Sequence, residues 1–90
     1  MPRFAALNLA MTGVAIQLDD SRCDSLILES PSTNSAVITI LETGTAVIVA
    51  VLGPGGLANS RVEIKGMRNT NEFDVNGTAV DVLIIRRFLT

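Results

Sequence analysis

The chain has 90 residues, 48 % of them apolar, with three aromatics, no His and a net charge of −2. That is the size of one small domain, too short for a dinucleotide-binding fold or a (β/α)8 barrel, and without His the commonest acid–base catalyst and metal ligand is missing. With 17 Val and Ile and 8 Thr the composition favours strands, and with no basic stripe and no aromatic platform nucleic-acid binding is not expected.

Residues 1–12 carry no clear helix N-cap and read as an extended N-terminal arm, with Phe4, Leu7 and Leu9 as its apolar anchors. The stretch from Phe4 to Leu18 is interrupted by Asn8, Thr12 and Gln17, so it is not read as a secretory signal. From residue 13 the pattern is that of short strands separated by turn residues. Gly13 to Leu18 alternates, with Val14, Ile16 and Leu18 on one side, and Asp19 to Asp24 is a polar loop. Ser25 to Glu29 alternates with Leu26 and Leu28 inward, and Ser30-Pro31-Ser32-Thr33-Asn34 is a turn cluster. Ala36 to Leu41 and Thr45 to Leu52 form a hairpin around Glu42-Thr43-Gly44. The run 46–52 is the longest strongly apolar one, seven residues against the ~20 that a membrane helix needs, so no membrane association is expected. Arg61 to Lys65 alternates with Val62 and Ile64 inward, residues 66–71 form a polar link, and Phe73 and Val75 point inward. Asn76-Gly77 suits a type I′ turn before a final strand from about Ala79 to Phe88.

These elements predict an all-β chain: a small antiparallel sandwich or jelly-roll-like barrel of six to eight strands, formed by a single β domain over 13–90 with the arm before it. The strands at 36–41, 46–52 and 80–88 are apolar on both faces, which asks for cover on both sides, and a chain of this size supplies no third layer. The outward set Val37, Leu41, Val47, Val49 and Val51 makes a patch of the size that marks an interface. At about 1.5 kcal/mol per residue, its burial is worth on the order of 7 kcal/mol before entropy. Self-association is therefore expected, with Val37, Leu41, Val47, Val49 and Val51 as its face. An extended arm of twelve residues reaches about 40 Å, far enough to cross onto a neighbour.

The chemical inventory is nearly empty, and neither an enzyme nor a bound cofactor is expected. Gly53-Pro54-Gly55-Gly56-Leu57-Ala58 matches G-x-G-x-x-A after a strand, but residues 59–65 alternate like a strand and give no helix N-terminus for a pyrophosphate. Asp19, Asp20 and Asp24 lack the twelve-residue calcium pattern, so no metal is expected. Cys23 is the only cysteine, so no intrachain disulfide forms. Asn76-Gly77-Thr78 is formally a glycosylation sequon, and the turn reading suffices for it. No two carboxylates are marked as a catalytic pair.

Arg61-Val62-Glu63-Ile64-Lys65-Gly66, then Asn71-Glu72-Phe73-Asp74-Val75-Asn76-Gly77-Thr78-Ala79-Val80-Asp81-Val82-Leu83, resembles small bacteriophage virion proteins of the head decoration (cement) type. In these a strand ends near a hydrophobic-x-Val-Asn/Asp-Gly-Thr/Ala turn that leads into a final Asp-Val strand, and many carry Gly where this chain has Val80. The resemblance covers about a third of the chain. It implies a structural virion protein, a β-sandwich subunit that forms homotrimers and stabilises the shell by non-covalent contacts with the major capsid protein or another virion component, and so a location in the virion. Phe4, Leu7 and Leu9 would then contact the capsid. The alternative is a tail-tip or spike module that binds a receptor or carbohydrate, which the lack of Trp, Tyr and His disfavours.

Overall fold

A computed structural model describes residues 3–45, 47–53 and 60–89. Eight strands succeed one another in the chain: β1 (Arg3–Ala10), β2 (Ile16–Gln17), β3 (Arg22–Glu29), β4 (Ile38–Glu42), β5 (Ile48–Leu52), β6 (Arg61–Asn69), β7 (Phe73–Asn76) and β8 (Val82–Leu89). One 3-10 turn, Thr70–Glu72, lies between β6 and β7. The strands form two antiparallel sheets, in the orders β1-β8-β3-β6 and β2-β7-β4-β5. The chain is an all-β sandwich. Its pairings are nested: β4 with β5, β3 with β6, β2 with β7 and β1 with β8. This is one long hairpin of four strand pairs, wrapped so that successive pairs fall in opposite sheets, which is the jelly-roll arrangement.

The core lies between the sheets. Leu26 and Leu28 of β3 and Leu83 and Ile85 of β8 meet Ile38 and Ile40 of β4, Leu52 of β5 and Phe73 and Val75 of β7. Each set sits at period two along its strand, so the alternation read in the sequence fixes which rows face inward. Met11 and Leu18 close the core beside the first strands. Gly44, with φ of 88°, supplies the left-handed residue of the β4–β5 turn, which is tied by Glu42 N donating to Val47 O at 2.8 Å.

Several elements differ from the sequence reading, each for a physical reason. Residues 3–10 do not form a free arm. They are β1, paired along their whole length with β8, because β8 offers an open edge and the segment has no helix signal to compete. The strand expected over 13–18 shrinks to Ile16–Gln17: Gly13 has φ of 89°, and Val14 lies exposed in the turn. The polar link at 66–71 is instead the continuation of β6, which pairs through Arg68 and Asn69 with Cys23 and Arg22. The Thr70–Glu72 turn is then nucleated by a capping box between Asn69 and Glu72.

Asn76-Gly77 is not a hairpin turn. β7 and β8 belong to different sheets, so the chain crosses the sandwich there, and Gly77 does not take a positive φ. Gly77 is required for a different reason: a Cβ on it would stand 2.8 Å from Met11 Cγ and 3.1 Å from Ile38 Cγ1. The left-handed residue of this crossing is Val80, at φ 70°. A β-branched side chain there is strained. Asp81 N donates to Thr78 O at 3.0 Å and Val80 N to Met11 O at 3.2 Å, which holds the turn in place.

Candidate functional site

The two outer faces of the sandwich differ in chemistry. On the β1-β8-β3-β6 sheet, register places Arg86, Ile27 and Glu63 in one row and Glu29 and Arg61 in the next, with Lys65 opposite Ser25. Arg86 pairs with Glu29 across this face at 2.5 Å, both side chains about a third exposed, an arrangement of small energetic value. The stems of these long side chains cover the apolar residue beneath them: Ile27 is buried although it faces outward.

Among the described residues, the outer face of the β2-β7-β4-β5 sheet has no such cover. Register sets Gln17, Asp74, Leu41 and Ile48 in one row and Asn76, Thr39 and Val51 in the next. Asp74 is the one charge in these rows, and its Oδ1 accepts from the Thr43 hydroxyl at 2.7 Å. Ile48 is 60 % exposed, Val51 41 %, and Val37 and Val47, which flank β4 and β5, 48 % and 58 %. Of the five expected association residues, Val37, Val47, Val49 and Val51 are thus open to solvent and Leu41 is half-buried in the same sheet.

Val49 is placed differently from the sequence reading. A bulge shifts the β4–β5 register, so that Ile40 pairs with Ala50 but Leu41 with Ile48. One extra residue in β5 exchanges its faces at that point. Ile48 joins Leu41 outside, and Val49 lines a cleft of about 560 Å³ with Ile64, Phe73, Gln17, Glu42, Thr43, Asn71 and Glu72. Strict alternation misses Ile48, and no residue in 46–52 announces a bulge.

The expected arm anchors are dispersed. Leu9 packs against the chain's own core, and Leu7 stays exposed opposite Ile85. The backbone of Phe4 lies opposite Phe88, and its side chain is outside the described residues. The glycine-loop motif also falls largely outside them, at 54–59.

Both ends of the sandwich are tied by polar networks. At one end Arg87 projects inward from β8, and its Nη1 donates to Asp19 Oδ2 at 2.8 Å and to the Ser21 hydroxyl at 2.8 Å. The Thr70 hydroxyl donates to Asp19 O, and Thr70 N to Ser21 O at 2.9 Å. Burial raises the Asp19 carboxyl, but the hydrogen bonds from Arg87 and Ser21 and the Arg87 charge outweigh it and hold the group below its ordinary value. Asp20 accepts from the Asn69 amide. Among the described residues no group of three or more His, Cys, Asp or Glu is placed to hold a metal.

At the other end the buried Asn34 donates to Val82 O at 2.7 Å and accepts from Val82 N at 2.8 Å. Asp81 accepts from the Ser35 and Ala36 backbone N–H groups at 3.0 and 3.1 Å and from the Ser35 hydroxyl. The Ser35 backbone bond, joined by those from Ala36 and the Ser35 hydroxyl, holds this carboxyl low against the effect of burial. A carboxyl depressed in the folded state contributes stability that is fully present above its unfolded value, near 3.8, and lost as pH falls through the folded value. Thermal melts should therefore hold steady from about pH 7 to 5 and decline below about pH 4. Asp81→Asn, less stable at neutral pH, should show a shallower acid decline; an identical one would exclude Asp81 as a source.

Comparison with known proteins finds no matching family model and no matching curated protein. Among solved structures, a chain from the Bacillus endospore appendages, described as a novel family of disulfide-linked pili, is similar to this one. The TM-score is 0.56 at 15 % sequence identity, over all of this chain and 88 % of that one. The likeness extends to the fold.

A disulfide link between copies is not open to this chain in its folded form. Cys23, its single cysteine, is fully buried. Burial pushes its thiol above the ordinary value, although the Arg87 charge opposes the shift, and a protonated, enclosed thiol is inert. Ellman's reagent should label no thiol in the native protein and one per chain after unfolding. Prompt native labelling would show that Cys23 is accessible.

Proposed function

We propose that this chain is a non-enzymatic structural subunit that associates with copies of itself through the outer face of the β2-β7-β4-β5 sheet. The observation that carries the reading is the contrast between the faces. One screens Ile27 with Arg86, Glu29 and Glu63 and leaves Phe88 37 % exposed at its end, whereas the other leaves Ile48 and Val51 in water beside Leu41. Exposed apolar surface concentrated on one face is characteristic of an interaction site.

The setting that the sequence favours is a bacteriophage shell, with the subunit acting as a decoration (cement) protein, a homotrimer held to the major capsid protein by non-covalent contacts. The resemblance of residues 61–83 to small virion proteins supports it. The likeness to a pilus subunit supports the more general part of the proposal, that a sandwich of this shape serves as a building block. With Cys23 enclosed, association here rests on apolar contact.

Sedimentation equilibrium at micromolar protein tests the self-association, and the expected result is one oligomer of fixed size. A monomer under those conditions would overturn it. Co-sedimentation of the protein with purified phage heads tests the setting, and failure to co-sediment would count against it.

A further inference from the structure

β1 is an edge strand that carries none of the devices that blunt an edge. It runs for eight residues and pairs with β8 in unbroken register. Among the described residues no strand lies on its other side. After Arg3 at its start, residues 4–10 hold no charge and no Pro. The other edge strands differ: β6 carries Arg61, Glu63 and Lys65, β5 is bulged, and β2 is two residues long. Residues 54–59 lead into β6, which stands at the opposite edge of the sheet from β1, three strand spacings or about 14 Å away.

The hydrogen bonds around β1 fix which of its backbone groups point outward. Met11 N donates to Asp81 O at 2.8 Å and Met11 O accepts from Val80 N at 3.2 Å, so both groups of Met11 face the β8 side. Val82, opposite Ala10, commits its N–H and C=O to the Asn34 side chain, so the Ala10–Val82 pair is not bonded through the ladder. Bonded and unbonded pairs alternate along antiparallel strands. Ala5, Leu7 and Leu9 therefore turn their backbone groups to β8, and Phe4, Ala6, Asn8 and Ala10 turn theirs away from it. At the centre of this outward set is Leu7. Its side chain lies on the inward row with Leu9, yet it is 39 % exposed.

We infer that the β1 edges of two copies of this chain pair antiparallel about a twofold axis at Leu7, joining their β1-β8-β3-β6 sheets into one continuous sheet. In that register Phe4 of each copy bonds Ala10 of the other, and Ala6 bonds Asn8, so every outward residue is matched. A shift of two residues leaves one on each strand unmatched. Leu7 stands directly opposite its own copy in an unbonded pair, the arrangement that brings side chains closest. The strand is thus its own complement, as a twofold contact requires, and no charge opposes it. Main-chain bonds supply the affinity, and the Leu7 pair sets the centre. One strand pair is small beside the roughly 1,200–2,000 Å² of a stable interface. The contact therefore forms in concentrated protein, in addition to the outer-face association proposed above, and it uses neither Ile48 nor Val51.

Leu7→Cys reports the pairing. The Cα atoms of an unbonded pair stand about 4.5 Å apart, within the roughly 4.4–6.8 Å that a disulfide spans. At millimolar protein, with diamide as oxidant, Leu7→Cys should form roughly tenfold more disulfide-linked dimer than Val14→Cys, although Val14 is the more exposed of the two at 64 %. The parent chain, whose Cys23 is buried, should form none. The link should persist when Ile48→Glu and Val51→Glu are added, which separates this edge from the outer face. Leu7→Lys sets two ammonium groups directly opposite each other. It should lower the light-scattering mass of the concentrated protein to that of the micromolar oligomer, while the dilute protein still melts cooperatively. No dimer from Leu7→Cys, as much from Val14→Cys, a link lost with the outer face, or an unchanged mass for Leu7→Lys would each overturn the proposal.

Discussion

Ile48→Glu combined with Val51→Glu should leave the protein monomeric at concentrations where the parent chain is assembled. Both side chains lie on the outer face of the β2-β7-β4-β5 sheet, 60 % and 41 % exposed in the single subunit. An interface that buries the exposed part of each gains about 0.5–1.5 kcal/mol per residue. Losing both gains forfeits about 1–3 kcal/mol, roughly fivefold to a hundredfold in the dissociation constant. Two desolvated carboxylates near Asp74 add to the loss. The subunit itself should fold normally, because neither residue contributes to the core. Val49→Glu is the informative control: the bulge turns Val49 toward the cleft, so its effect on assembly should be small. Sedimentation velocity of the three proteins reads the result directly, and an assembled double variant would remove this face from the interface.

Gly77→Val should be the most damaging single exchange outside the apolar core. The position is buried where the chain crosses between the sheets, and even a Cβ would stand 2.8 Å from Met11 Cγ and 3.2 Å from its sulfur. Overpacking of this kind costs about 1–3 kcal/mol, and in a domain of this size each kcal/mol lowers the melting temperature by roughly 4–8 °C. Gly77→Ala should show the smaller effect, since the Met11 side chain can shift. Met11→Ala opens a cavity when made alone, but the double change Gly77→Ala/Met11→Ala should cost less than the sum of the two. That non-additivity is the signature of direct contact, and simple additivity in denaturant titrations would show that the two groups do not meet.

Period-two rows are enough to predict the sandwich, the β4–β5 hairpin and most of its inward residues, because Leu26, Leu28, Ile38, Ile40, Phe73 and Val75 each obey the pleat of their own strand. Features set by distant partners are not legible in this way. Nothing in residues 3–10 states that β8 will accept them along eight positions. Asn76-Gly77 has the composition of a tight turn, yet its glycine answers to the approach of Met11. Alternation turns Ile48 inward because it has no means of registering an inserted residue. Arg87 has the look of an exposed charge near the chain's end. It is instead buried, since Asp19 and Ser21 fold back from a loop 66–68 residues earlier to meet it.

The nesting of the strand pairs also constrains how the molecule can be made. Among the described residues β1 is bonded to β8 alone, so during synthesis its ladder cannot form before β8 has been made. The β4–β5 hairpin has no such wait, since its two strands are neighbours in the chain.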